Sequence, residues 1–200
     1  LLGISCAVEP VEISETTPLS LEVPQVFEER ILPPILPVDN PQTAEGIALG
    51  EKLFFDTILS VDGTISCASC HLSQSAFTDD QQFSEGINAR IGVRNSMPLF
   101  NLAWNYDQRF FWDGAANSLE DQAFEPVTNP DEMGNTWNAA VTALEQDAEY
   151  PQLFRVAFGE NGIDSVKVTK ALAQFERTLI SANSRFDRFL MGNLTLTEQE

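Results

Sequence analysis

Cys67-Ala68-Ser69-Cys70-His71 decides how this chain is read, and His71 is its only histidine in 200 residues. C-x-x-C-H is the attachment pattern of c-type haem. The thiols add across the haem vinyl groups, and the residue after the second cysteine gives the iron an imidazole ligand. Because the chain has no other histidine, it has no second imidazole to offer the opposite face of the iron. That face holds water, a methionine sulfur, another weak ligand or nothing. An open face means peroxide or oxygen chemistry, and a methionine face means electron transfer. Rival readings of the motif are weaker. A zinc site takes four ligands, and only Cys67, Cys70, His71 and the distant Cys6 are at hand. A thioredoxin-type redox pair would follow a βα pattern, which is missing. A structural disulfide would leave His71 without a role.

The chain is long enough for one substantial domain plus extensions. No stretch approaches the ~20 apolar residues of a transmembrane helix. A net charge of −19 argues against binding nucleic acid or anionic lipid by charge. At the start, Leu1-Leu2-Gly3-Ile4-Ser5-Cys6 reads as the end of a signal peptide's apolar core with a lipoprotein cleavage box, residues 1–6. Cys6 would carry the lipid, and an unmodified thiol in a tail is the alternative. Haem attachment outside the cytoplasm agrees with export, so the expected location is the periplasm or cell envelope. Seven of the eleven prolines lie between positions 10 and 41, among Glu9, Glu12, Glu15, Glu22, Glu28 and Glu29. Residues 7–39 are therefore expected to form an acidic, proline-rich tether, with the last prolines, Pro33 to Pro41, lying along the domain surface as the alternative.

The folded domain is expected over residues 40–193. Thr43 caps a helix carrying Ile47, Ala48, Leu53 and Phe54. Asp62-Gly63 is a turn. Residues 77–108 are rich in Gly, Asn, Ser and Asp without periodicity, and read as a long loop wrapping the haem. Asn117 or Ser118 caps a helix to about Phe124. Thr136 caps another with Trp137, Ala140, Val141 and Leu144 at helical spacing. Pro151 opens a short helix ending before Gly159. The strongest pattern, over 165–180, puts Val168, Leu172, Phe175 and Leu179 on one face. No alternating strand pattern is present, so the class is all-α, a cytochrome c-like haem domain. Residues 194–200 read as the capped first turn of a further helix, the start of a second haem domain.

The chain resembles the bacterial dihaem cytochrome c peroxidases, a family that includes the methylamine-utilisation (MauG-type) proteins. The resemblance runs over about 38–200. It is carried, in order, by Asn40-Pro41-Gln42-Thr43, Leu49-Gly50-Glu51-Lys52-Leu53-Phe54-Phe55-Asp56, the haem motif, Arg94-Asn95-Ser96, Phe111-Trp112-Asp113-Gly114, Leu119-Glu120-Asp121-Gln122, Glu132-Met133 and Phe186-Asp187-Arg188-Phe189-Leu190. It implies that this is the peroxidatic domain, with one covalent haem here and a second in a following domain. By position, the resemblance implies a distal pocket with Glu132 and Gln122, and Trp112 between the haems as an aid to electron transfer. It also implies Arg94 near a haem propionate and Asn95 at an interdomain calcium site. Hydrogen peroxide is then the substrate, a small redox protein such as a cytochrome c or cupredoxin the electron donor, and a homodimer the expected assembly.

The chemistry agrees. Splitting peroxide at iron needs a base to carry a proton from the near oxygen to the far one. An amide can hold the peroxide and steady developing charge. Taken singly, each residue has a plainer reading: Glu132 as a solvated acid, Gln122 as a helix-surface residue, Trp112 as core beside Phe110 and Phe111, and Asn95 as a turn former. Many of these peroxidases block the iron with a loop histidine until the second haem is reduced. The corresponding loop here, Phe83-Ser84-Glu85-Gly86-Ile87-Asn88-Ala89-Arg90, has none, which implies a haem open to peroxide from the start. Two other functions remain open: oxidation of tryptophan side chains in a partner protein, as in the MauG type, and a plain carrier with Met97, Met133 or Met191 on the iron.

Overall fold

The computed structural model describes residues 15–197. Its helices are α1 (Gln25–Arg30), α2 (Ala44–Phe55), α3 (Cys67–Cys70), α4 (Leu119–Thr128), α5 (Trp137–Gln146), α6 (Tyr150–Phe158), α7 (Ser165–Glu176) and α8 (Arg185–Leu190). Among the described residues only isolated bridges pair in β fashion, so the domain is all-α. The residues between α3 and α4 carry only short 3-10 turns and form the expected long loop.

The caps follow the sequence. The hydroxyls of Thr43, Ser118 and Thr136 accept the Gly46, Asp121 and Ala139 amides, each satisfying an otherwise orphaned donor of a first turn. Gly159, at φ 70°, ends α6 in the left-handed conformation that favours glycine.

The core is built on α2 against α7, with α4 on α7 and α6 on α2. Leu49, Leu53 and Phe54 of α2 are buried with Val168 and Leu172 of α7, and with Tyr150 and Phe154 of α6. Gly46 and Gly50, one turn apart on α2, face α7 directly. A Cβ on Gly50 would stand 1.9 Å from the Ala171 carbonyl oxygen and 2.9 Å from Phe175 Cβ. Gly50→Ala is therefore expected to push the two helices apart and cost about 3 kcal/mol, seen as a lower urea midpoint with haem attachment retained. Gln174, buried in the same seam, accepts the Thr43 amide at 3.0 Å and donates to Asn40 Oδ1 at 2.9 Å. The chain's entry into α2 is thereby tied to α7.

Three expectations need correction. Residues 15–39 are not a free tether. The Leu19 amide bonds Gln42 O at 3.0 Å and the Ile35 amide bonds Ala103 O at 2.7 Å. Val26 is buried, and Phe27 sets its ring edge-on to Trp104 at 4.9 Å. Apolar residues among the prolines supply contacts that proline and acid content alone conceal. Secondly, α4 runs past Pro126 to Thr128, because near a helix end the proline removes only one bond, the one to the Gln122 carbonyl. Thirdly, α7 stops at Glu176, and Leu179 follows in a turn. Residues 194–197 are not helical. Residues 198–200, and Cys6 with the rest of 1–14, lie outside the described residues. No helix among the described residues is long and apolar enough to cross a membrane.

Candidate functional site

Ser66 starts α3: its amide donates to the Ser69 hydroxyl at 3.0 Å, its carbonyl accepts the Ser69 amide at 3.1 Å, and the two hydroxyls lie 3.3 Å apart. This single turn puts the Cys67 and Cys70 side chains and the following His71 ring onto one cavity of about 240 Å³. His71 Nδ1 lies 2.8 Å from the Phe77 carbonyl oxygen. A carbonyl only accepts, so Nδ1 carries the proton and Nε2 keeps its lone pair. Burial lowers the His71 pKa, against the opposing pull of the Phe77 and Met97 carbonyls and Asp79, and keeps the ring neutral.

Burial pushes the Cys67 thiol far up and the Cys70 thiol to about 11. Metal-binding or redox-exchange thiols sit in surroundings that lower the pKa, the reverse of these. The two cysteines are free of a disulfide, and among the described residues no three His, Cys, Asp or Glu side chains converge as a metal site. Two thiols, a neutral imidazole with Nε2 free and a mostly apolar cavity fit a covalent haem.

The cavity's other walls hold Arg94, Asn95, Trp112, Gln122 and Glu132. Gln122, 7% exposed, comes from α4, and Glu132 from the loop after it. That loop is pinned by its backbone. The Met133 amide bonds Pro126 O at 3.2 Å, Gly134 bonds Asn129 O at 2.9 Å, and Ile87 bonds Glu132 O at 2.8 Å. The Glu132 carboxylate accepts from Asn129 Nδ2 at 2.8 Å. Burial raises its pKa, partly offset by that bond, and the Asp131 and Glu125 charges add to the rise. Asn129 thus orients the acid, a partner the sequence reading missed.

At the mouth stands Trp112. It is 57% exposed, so it is not core. Its indole Nε1 donates to the Asn95 carbonyl at 3.1 Å. Arg94 lines the cavity and pairs with Asp113 at 3.2 Å, both half exposed. Met97 and Met133 line the cavity and Met191 does not. The Met97 carbonyl stands beside the imidazole, and Met133 belongs to the buried core.

The sequence reading also missed Glu176. It is 4% exposed, lines the cavity beside Leu172, and has Oε2 buried without a partner. Its signal was in the spacing. It follows Leu172 by four positions, which puts an acid on the apolar face of α7.

Residues 44–195 match the family model of the di-haem cytochrome c peroxidases. The chain belongs to that family. Over 158 residues it is 44% identical to the methylamine utilization protein MauG of Methylorubrum extorquens, covering 78% of this chain and 44% of that protein. It is 37% identical over 163 residues to the cytochrome c peroxidase of Escherichia coli, covering 80% of this chain and 34% of the relative. Among solved structures, a MauG-like protein associated with microbial copper homeostasis superposes with a TM-score of 0.80 at 34% identity, over 90% of this chain and 52% of that one. The chain thus spans about half or less of the length of these relatives. Family membership implies c-type haem as the cofactor.

Proposed function

We propose that this domain reduces hydrogen peroxide to water with electrons from a small redox protein, and that it works in the periplasm or cell envelope. One observation carries the reading: Glu132, oriented by Asn129, shares a cavity with Gln122 and the Cys67, Cys70 and His71 side chains. Cys67 and Cys70 would hold the haem covalently with His71 as the ligand to its iron, and the bound group would supply the redox chemistry for cleaving the oxygen–oxygen bond. The Glu132 carboxylate takes a proton from one peroxide oxygen and returns it to the other. Its raised pKa brings it toward the working pH, where a general base is most effective. The Gln122 amide holds the peroxide and steadies the charge that develops. Trp112, exposed at the mouth, offers electrons an aromatic step inward from a docked donor. Asn95 steadies that indole through its carbonyl.

Haem-loaded protein in its ferric form is expected to consume peroxide and oxidise a reduced small cytochrome c without prior reduction, since the 83–90 loop carries no histidine. Haem-loaded protein that leaves peroxide untouched would overturn the reading. Oxidation of a partner protein is the second reading. It is favoured by the relative of 44% identity, named as a methylamine utilization protein, and by the exposed Trp112. Peroxide consumption that no small cytochrome accelerates, with oxidised tryptophan in a co-incubated protein, would select it.

A further inference from the structure

Among the described residues, Glu176 is the one cavity-lining residue with a buried side-chain oxygen that lacks a hydrogen-bond partner. It projects from the last turn of α7, 4% exposed, and Oε2 is fully buried with no hydrogen bond. Burying a polar group without a partner is unfavourable. The adjacent cation answers it only in part: the Arg177 charge acts on Glu176, but Nη2 bonds Glu120 on α4 at 2.9 and 3.0 Å, Nη1 makes no hydrogen bond to Glu176, and Arg177 does not line the cavity. The Glu176 charge bears on the Cys67 thiol, which sets the carboxyl close to where the haem is anchored. Gln122 and Leu172 line the same space from α4 and α7.

We propose that Glu176 is a second acid of the haem cavity and donates a hydrogen bond to the small oxygen-bearing ligand held there, peroxide or water. Burial raises its pKa to about 8, with Glu120 adding to the rise and Arg177 opposing it. At neutral pH the group is protonated, a donor rather than an anion that would repel such ligands. The proposal rests on the haem-peroxidase reading and adds to it: Glu132 moves the proton, while Glu176 holds one.

Fluoride tests this without turnover, since it binds open ferric haem and is sensitive to hydrogen-bond donors near it. Haem-loaded ferric protein would be titrated with sodium fluoride at neutral pH, following the charge-transfer band. Glu176→Leu should weaken fluoride binding by about tenfold, the worth of one such bond, and shift the band. Glu176→Gln, which keeps a donor of the same shape, should stay within about threefold of the parent. A Glu176→Leu protein that binds fluoride like the parent overturns the proposal, as does a parent haem that takes no fluoride.

A second readout needs only the parent and the Gln variant. Adding fluoride should shift the infrared carbonyl stretch of a protonated carboxyl in the parent, and that signal should be missing in Glu176→Gln. No shift in the parent overturns the proposal even where Glu176→Leu fails to fold. Normal fluoride behaviour with no peroxide consumption would instead remove the peroxidase reading and leave the hydrogen bond standing.

Discussion

Replacing Glu132 by Gln is expected to lower peroxide turnover by about 10²–10⁴-fold while leaving haem attachment and the fold unchanged. The two side chains have the same shape. A glutamine oxygen can still accept the Asn129 Nδ2 bond that the Glu132 carboxylate takes at 2.8 Å. The backbone bonds from Met133, Gly134 and Ile87 that pin the loop are untouched. The change removes only the ability to take up and return a proton. Burial raises the Glu132 pKa and with it the basicity of the carboxylate, and an amide has no such equilibrium. Steady-state oxidation of a reduced cytochrome c, normalised to covalently bound haem, measures the effect. Full turnover in the variant would remove Glu132 from the chemistry.

The sequence was most informative where local rules act alone. Thr43, Ser118 and Thr136 stand where caps are needed, and each cap forms. Cys67, Cys70 and His71 lie within five consecutive residues, so one turn of backbone is enough to converge them. Glu132, Gln122, Trp112, Arg94 and Asn95 are scattered along the chain. Only the ordered resemblance singled them out, and the fold gathers them around one cavity.

What could not be read depended on tertiary contacts. The 15–39 segment is proline-rich and acidic, yet Val26, Phe27 and Ile35 find partners on a surface no local pattern describes. Asn129 looks like an ordinary helix-end residue until its amide is seen on Glu132. Gly50 carries no signal for close packing until α7 lies across it. Glu176 was legible in principle, as an acid four residues after Leu172. A helical face, however, says which side is buried and not what the buried acid meets.

The Glu176 carboxyl should also govern how stability responds to pH. Its pKa rises from 4.5 to about 8 on folding, chiefly through burial. Between those values the folded protein holds a proton that the unfolded chain has released. With more protons bound to the folded state, stability falls as pH rises, by about 1.4 kcal/mol per unit. The loss begins above the unfolded pKa and is complete above the folded one, amounting to roughly 4–5 kcal/mol. Glu176→Gln removes the titrating group and keeps the volume. The variant should therefore match the parent near pH ~5 and be markedly more stable near pH ~9. Urea unfolding of the haem-loaded proteins at both pH values measures this. The covalent haem stays with the chain in the folded and unfolded states, so loss of cofactor does not distort the comparison. Other shifted groups, Glu132 among them, are common to both proteins and cancel in the difference. Parallel stability curves for the two proteins would mean that Glu176 is already ionised and paired in the folded state. The cavity would then contain a cation or a stronger donor facing α7, and the neutral acid would have to be given up.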